Sequence, residues 1–264
     1  MVPLWWVGVI WSNHNGWVSF FFSRRFVTIV QCKDDWDIFV FTQHWPFTVC
    51  SQWIKKNFNN ICRLPDAKDT WTIHGLWPTK YGTIGPSFCN DNLKFDESKI
   101  ARVQSKLEQL WTNIHKNKPV SYLWEHEWNK HGTCAVTLPQ LNNQLQYFTH
   151  GLELIRNYNI TNILSNYFIT PGFDGYNVEN IFNSIKTVLN HNPVVRCVVD
   201  KDSNRFLISE IQICFDKQFN VIDCDPVKKK FRNGGILTDC SLTENVFYPN
   251  QALTLRITKT STLD

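Results

Sequence analysis

Apolar and polar positions divide the chain into a short unusual start and a long, regularly patterned remainder. Met1 to Ser23 carries no charge, and Leu4-Trp5-Trp6-Val7-Gly8-Val9-Ile10-Trp11 is an apolar stretch of the length found in a signal-peptide core. Ser12-Asn13-His14-Asn15-Gly16 interrupts it, so the run reaches about half of the ~20 apolar residues a spanning helix needs. We therefore expect residues 1–31 to be a signal-like leader, residues 32–264 to be the working domain, and no stable membrane insertion.

Beyond the leader, Asp37 to Gln43 clusters β-branched and aromatic residues and reads as a buried strand closed by His44-Trp45-Pro46. Trp71-Thr72-Ile73-His74-Gly75 reads as a second, running into a turn at Pro78. From Asp96 to Ile114, Ile100, Val103, Leu107, Leu110, Trp111 and Ile114 recur every three or four residues, the spacing of one helix face. Ser121 to His131 reads as another helix, with Pro119 near its start and Gly132 as its C′ residue. Leu141, Leu145, Phe148, Leu152 and Ile155 predict a third helix, and Val178, Ile181, Ile185, Val188 and Leu189 a fourth. The last third turns to strands: Val194 to Val199, Phe206 to Phe215, Phe219 to Ile222, and a short one ending in Phe247-Tyr248-Pro249. No composition shift divides these segments. They predict a single α+β domain, a central antiparallel sheet flanked by helices.

Composition narrows the class. With 264 residues, 43% apolar, and only 11 glycines and 11 prolines, the chain is neither disordered nor collagen-like, and it shows no fixed-period repeat. Net charge is +4, two units of which are Arg24 and Arg25 in the leader. The remainder is too weakly basic to bind nucleic acid by counterion release over a long footprint, so any polyanion must be gripped locally. Lys228-Lys229-Lys230 with Arg232 reads as a solvated loop. Nine cysteines without a CxxC pair indicate an oxidising compartment and a disulfide framework. Cys32 stands apart, which leaves Cys50, Cys62, Cys89, Cys134, Cys197, Cys214, Cys224 and Cys240; eight cysteines allow 105 pairings. Asn159-Ile160-Thr161 is an acceptor sequence for a glycan on Asn159.

The chemistry concentrates in His126-Glu127-Trp128-Asn129-Lys130-His131. On a helix, Glu127 and His131 are four apart, as are His126 and Lys130, so a carboxylate, an ammonium and two imidazoles share one surface. A salt-bridged surface helix would explain Glu127 and Lys130 but not the flanking histidines or Trp124 and Trp128. A zinc helix needs HExxH, whereas His126 and His131 are five apart and diverge by about 140° on an ideal helix. Acid–base chemistry remains, with His74, followed by the side-chain-free Gly75 and the flat Trp77, as the second imidazole. Two imidazoles with a cation between them suit cleavage of RNA by its own 2′-hydroxyl, without metal or cofactor. His14, His115, His150 and His191 read as surface residues.

Trp71 to Pro78 and Trp124 to Cys134 resemble the two active-site segments of the T2 ribonucleases, particularly the animal lysosomal and secreted members. Gln43-His44-Trp45-Pro46 followed by Cys50 resembles the end of that family's first strand, and the likeness extends more loosely from about Asp35 to Pro249. The resemblance implies a monomeric, disulfide-stapled endoribonuclease, secreted or endolysosomal, acting on single-stranded RNA through a 2′,3′-cyclic phosphate with low base specificity. It implies that His74 and His131 are the acid–base pair, with His131 as base and His74 as acid in the first step. Glu127 and Lys130 would polarise the phosphate, His126 would bind it, Trp77 would stack on the 5′-side base and His44 would line the other base site. It implies the pairings Cys50–Cys62, Cys89–Cys134, Cys197–Cys240 and Cys214–Cys224. Thr79 stands where many relatives carry an acidic residue, and Leu123 where an aromatic is common. Two rivals from other classes are a secreted signalling or RNA-scavenging protein that needs no turnover, against which the intact histidines speak, and a metal-dependent phosphodiesterase, which EDTA would inactivate.

Overall fold

In the computed structural model, residues 36–83, 85–225, 232, 233 and 235–250 are described. The leader, Cys32 and Lys228 to Lys230 lie outside them. Strand β1 (Ile38–His44) is buried along its whole length and pairs antiparallel with β2 (Thr72–Thr79) on one side and β5 (Arg205–Phe215) on the other. On its opposite edge β5 pairs antiparallel with β4 (Val194–Asp200) and, further along, with β6 (Val221–Ile222). The short β9 (Val246–Phe247) joins β5 in parallel and carries β3 (Gly175–Tyr176); β7 (Arg232–Asn233) and β8 (Ile236–Leu237) form a separate ribbon. The expected α+β sheet flanked by helices is present; among the described residues it departs from antiparallel pairing at the β5–β9 contact and at a single parallel bridge from Val195 to Thr238.

Helices α1 (Pro46–Lys56), α2 (Gln104–Leu110), α3 (Tyr122–Glu127), α4 (Thr133–Ala135), α5 (Gln144–Asn157), α6 (Ile160–Ser165) and α7 (Val178–Leu189) complete the chain. Pro46 does more than close a strand. It occupies the first turn of α1, where a missing N–H costs nothing. The helix expected across 96–114 is broken: a 3₁₀ turn, Glu97–Ile100, capped by Asp96, precedes α2, and the backbone leaves the helix at Trp111. Asn143 and Asn177 cap α5 and α7 through their side-chain oxygens.

Buried tryptophans set the spacing between sheet and helices, and several spend their indole N–H on a backbone carbonyl. β2 is an edge strand, so its outward carbonyls lack strand partners; Trp111 Nε1 donates to the His74 carbonyl at 2.9 Å and Tyr147 Oη to that of Leu76 at 2.8 Å. Side chains thus take the place of a further strand, and Pro78 is tolerated because it lies on an edge. The structure joins Cys50–Cys62, Cys89–Cys134, Cys197–Cys240 and Cys214–Cys224. Among the described residues no helix is long and apolar enough to cross a membrane.

Candidate active site

Paired residues in a sheet share a face. Val40 with Trp77, Thr42 with Gly75, and His44 with Glu210 therefore line one side of β2, β1 and β5. Thr42 opposes Gly75 while Gln43 opposes Ile73, so His74 is an extra residue in β2. This bulge re-aims its side chain onto the same face. There its ring stacks on His44, with centroids 5.4 Å apart and 29° between planes, and meets Trp77 edge-on at 5.1 Å. Nδ1 of His74 is 2.7 Å from Glu210 Oε1, and Nε2 is 3.9 Å from Glu127 Oε1.

Glu127 arrives from the helical side and is 1% exposed. Its Oε2 accepts a hydrogen bond from Trp77 Nε1 at 2.8 Å, and this contact passes directly over Gly75. A Cβ there would lie 2.1 Å from both bonded atoms, which is why no side chain fits. Absence of bulk at Gly75 is thus a requirement of the site itself.

The helix carrying the second imidazole does not end where Gly132 suggested. α3 gives way at Trp128 to a single π turn, Trp128–Gly132, in which Thr133 N–H reaches back five residues to the Trp128 carbonyl, and α4 continues the helix. Gly132 keeps helical angles; its reason for being glycine is the Trp128 ring, 2.4 Å from where a Cβ would sit. Cys134 in α4 anchors the segment through Cys89, and Phe88 N–H donates to the Lys130 carbonyl at 2.9 Å.

His131 is 6% exposed, tilts against Trp77 at 5.4 Å, and its Nδ1 has no hydrogen-bond partner. Burial, then Lys130, His126 and His74, push its pKa down to about 2. Burial also disfavours the charge on His74, but the hydrogen bond to Glu210 and the carboxylates of Glu210 and Glu127 outweigh it and raise that pKa. Glu127 is pushed up to about 7 by burial, against the pull of His74, Trp77 and Lys130. For Glu210, burial is overcome by the His74 hydrogen bond and charge, and its carboxyl falls to about 2. His44, 5% exposed with Nε2 unpartnered, is held near 3 by burial and then by His74. One site thus holds imidazoles biased in opposite directions.

Of the residues singled out in the sequence, His74, Glu127, His131, Trp77 and His44 meet here, with Lys130 close enough for its charge to act on His74, Glu127 and His131. His126 stands exposed on α3. Asn159 belongs to another element, as the N-cap of α6. His115 and His150 are not free surface residues: they pack on Trp53 and Phe219 at 4.0 Å. Glu210 was missed. Its signal was present, since Glu210 and Gln212 are polar residues two apart in an otherwise apolar strand, hence on one face. Thr79 is buried and turns its hydroxyl back to the Trp77 carbonyl at 3.0 Å. Among the described residues no group of three or more His, Cys, Asp or Glu is placed to hold a metal ion.

The profile of the Ribonuclease T2 family matches residues 36–224. The chain is 38% identical over 218 residues to ribonuclease Oy of Magallana gigas, an alignment covering 81% of this chain and 97% of that protein. It is 34% identical over 186 residues to ribonuclease T2 of Homo sapiens, covering 70% and 68% respectively. The crystal structure of human RNase T2 matches with a TM-score of 0.64 at 28% identity, over 81% of this chain and 99% of that one. RNase NT in complex with 5′-AMP gives 0.67 at 29%, over 82% and 99%. Fold and relatives together define an RNA endonuclease. The chain belongs to the ribonuclease T2 family.

Proposed function

We propose that this endoribonuclease cleaves single-stranded RNA by transphosphorylation, with protein groups alone supplying the catalysis. The 2′-oxygen attacks the adjacent phosphorus as its proton passes to His131. The bond to the 5′-oxygen breaks as His74 Nε2 gives that oxygen a proton, leaving a 2′,3′-cyclic phosphate and a 5′-hydroxyl. The observation that carries this reading is the opposite bias of the two imidazoles: His131 is kept neutral, as a base must be, and His74 is kept protonated, as an acid must be.

Glu127 stays largely uncharged below neutrality. Its Oε2 is engaged by Trp77, so Oε1 is available to donate a proton-bearing hydrogen bond to a non-bridging phosphate oxygen, and Lys130 balances the charge that grows there. His126 is the outer phosphate contact. Trp77 stacks on the 5′-side base, and His44 lines the other base site with a free Nε2. Low base specificity follows from Thr79, whose hydroxyl is occupied by its own backbone, because strong discrimination needs a buried group that a wrong base leaves unpaired.

The disulfides favour an oxidising compartment, and the tomato relative, 32% identical over 202 residues, is an extracellular ribonuclease; we therefore place this enzyme in the secretory or endolysosomal route. The half-buried Asn159 spends Oδ1 on capping α6, through Asn162 N–H at 3.0 Å, which leaves its Nδ2 for a glycan. The enzyme acts as a monomer, since both imidazoles come from one chain. Incubating it with homopolymeric RNAs, with and without EDTA, tests the reading. Cyclic phosphate ends that accumulate before any 3′-phosphate, from several homopolymers and regardless of EDTA, are expected. Loss of activity in EDTA, or cleavage confined to one dinucleotide, would contradict it.

A further inference from the structure

Glu210 lies in the middle of β5, a strand buried along most of its length, where a carboxylate is costly unless it is paired. Its partner comes from two strands away. β1 separates β5 from β2, and His44 of β1 sits directly opposite Glu210, yet Glu210 Oε1 passes to His74 Nδ1 at 2.7 Å. Only the bulge that adds His74 to β2 lets the two meet. With Glu210 ionised, its oxygens can only accept, so Nδ1 must carry the hydrogen and donate it. Behind Glu210, on β4, the opposite residue is Arg196, whose Nε donates to Asp239 Oδ2 at 2.6 Å. A charged row therefore crosses the sheet: Asp239, Arg196, Glu210, His74.

We propose that Glu210 is the positioning residue of His74, fixing the ring orientation and stabilising the imidazolium whose Nε2–H is directed toward the departing 5′-oxygen. The proposal rests on the reading of His74 as general acid. Without this acceptor the ring can rotate about χ2 and the imidazolium loses its anionic partner, so Nε2–H is either misdirected or given up. The His74 hydrogen bond and charge, with a lesser contribution from Arg196, keep Glu210 ionised, so the acceptor survives at the acidic pH where imidazolium is abundant. Glu210 touches no substrate in this account; it acts through His74 alone. An ion pair serving only the sheet would hold β5 to β2 but would leave the protonation of His74 without consequence for the rate.

Several charges face His74 and must be separated in the test: Glu127 and Lys130 from the helical segment, Glu210 from β5, and His44, His126 and His131 nearby. Glu127 is pushed up to about 7 and faces His74 Nε2, so rates are best compared in a Glu127→Gln background. Two readouts are needed on Glu210→Gln and Glu210→Asp. One is the titration midpoint of His74 by NMR on ring-labelled histidine, which requires no turnover. The other is the alkaline limb of the pH–rate profile. Removing an opposite charge at hydrogen-bond distance should lower the Glu210→Gln midpoint by about 1–3 pH units, with the alkaline limb following it and the acidic limb unmoved. Glu210→Asp, which keeps the charge with a shorter reach, should restore much of the midpoint while its rate stays low. An unchanged His74 midpoint in folded Glu210→Gln would overturn the proposal alone. A midpoint that falls while the alkaline limb stays would overturn the general-acid assignment of His74, and the positioning role with it.

Discussion

The two histidines proposed as acid and base occupy contrasting halves of one site. His74 sits on a sheet, 31% exposed at its side chain, with two carboxylates within 4 Å of its nitrogens. His131 sits in a π turn, almost fully buried, with an unpartnered Nδ1 and Lys130, His126 and His74 as its charged company. The same side chain is therefore driven toward opposite protonation states by its surroundings. The strand half provides anionic partners because a bulge and an edge position let His74 reach across the sheet. The helical half turns its carboxylate, Glu127, toward Trp77 and His74 and leaves His131 Nδ1 without a partner. Under the proposed mechanism, the walls around each imidazole, rather than the imidazole itself, select which is acid and which is base.

Substitutions that erase either half should have the largest effect. His74→Phe and His131→Phe each remove a proton transfer and should lower kcat by about 10²- to 10⁴-fold while the disulfide-linked fold persists, as measured by single-turnover cleavage alongside circular dichroism. A folded variant keeping more than a tenth of the rate would break the pairing. Gly75→Ala should come next. Its new methyl must displace the Glu127–Trp77 contact, and misplacement of about 1 Å can cost on the order of 10²-fold, so kcat should fall with little change in overall stability. Wild-type kcat with alanine there would show that the contact is dispensable.

Glu127→Gln should be the mildest, because an amide can still donate to phosphate. Its sharper signature lies in pH. Wild-type activity should decline as pH rises above about 7, where Glu127 loses the proton it donates. In Glu127→Gln that limb should disappear, leaving loss of the His74 proton as the limit on the alkaline side. On the acid side, His131 is depressed to about 2, so activity should persist well below the ordinary imidazole range near ~6.5. A steep loss of rate at pH 6 and below would show that His131 is not the isolated base described here.

Much of this contrast was legible in the chain before folding. Trp71 to Pro78 and Trp124 to Cys134 hold five of the site's groups in two short segments, and local pattern suffices to mark both. Strand β5 and helix α7 were equally plain, because β5 is dense in β-branched and aromatic residues and α7 keeps an apolar period near 3.6. What escaped depends on tertiary contact. The break of the 96–114 helix follows from Trp111 and Trp124 hydrogen bonds that tie the chain to β2 and α3, and no local residue signals them. The π turn looks like ordinary helix in sequence, since the same residues fit either hydrogen-bond pattern. Glu210 reaches His74 across 136 residues of sequence, through a register shift that only strand pairing creates.

The central claim, that His74 is the acid and His131 the base, is tested most directly with an RNA whose scissile 5′-oxygen is replaced by sulfur. A thiolate leaves without being protonated, so a missing general acid no longer matters, whereas a missing base still does. The account predicts that His74→Phe cleaves this substrate at close to the wild-type rate while His131→Phe remains slow by its full factor. Rescue of His131→Phe instead, with His74→Phe still impaired, would reverse the assignment and contradict it.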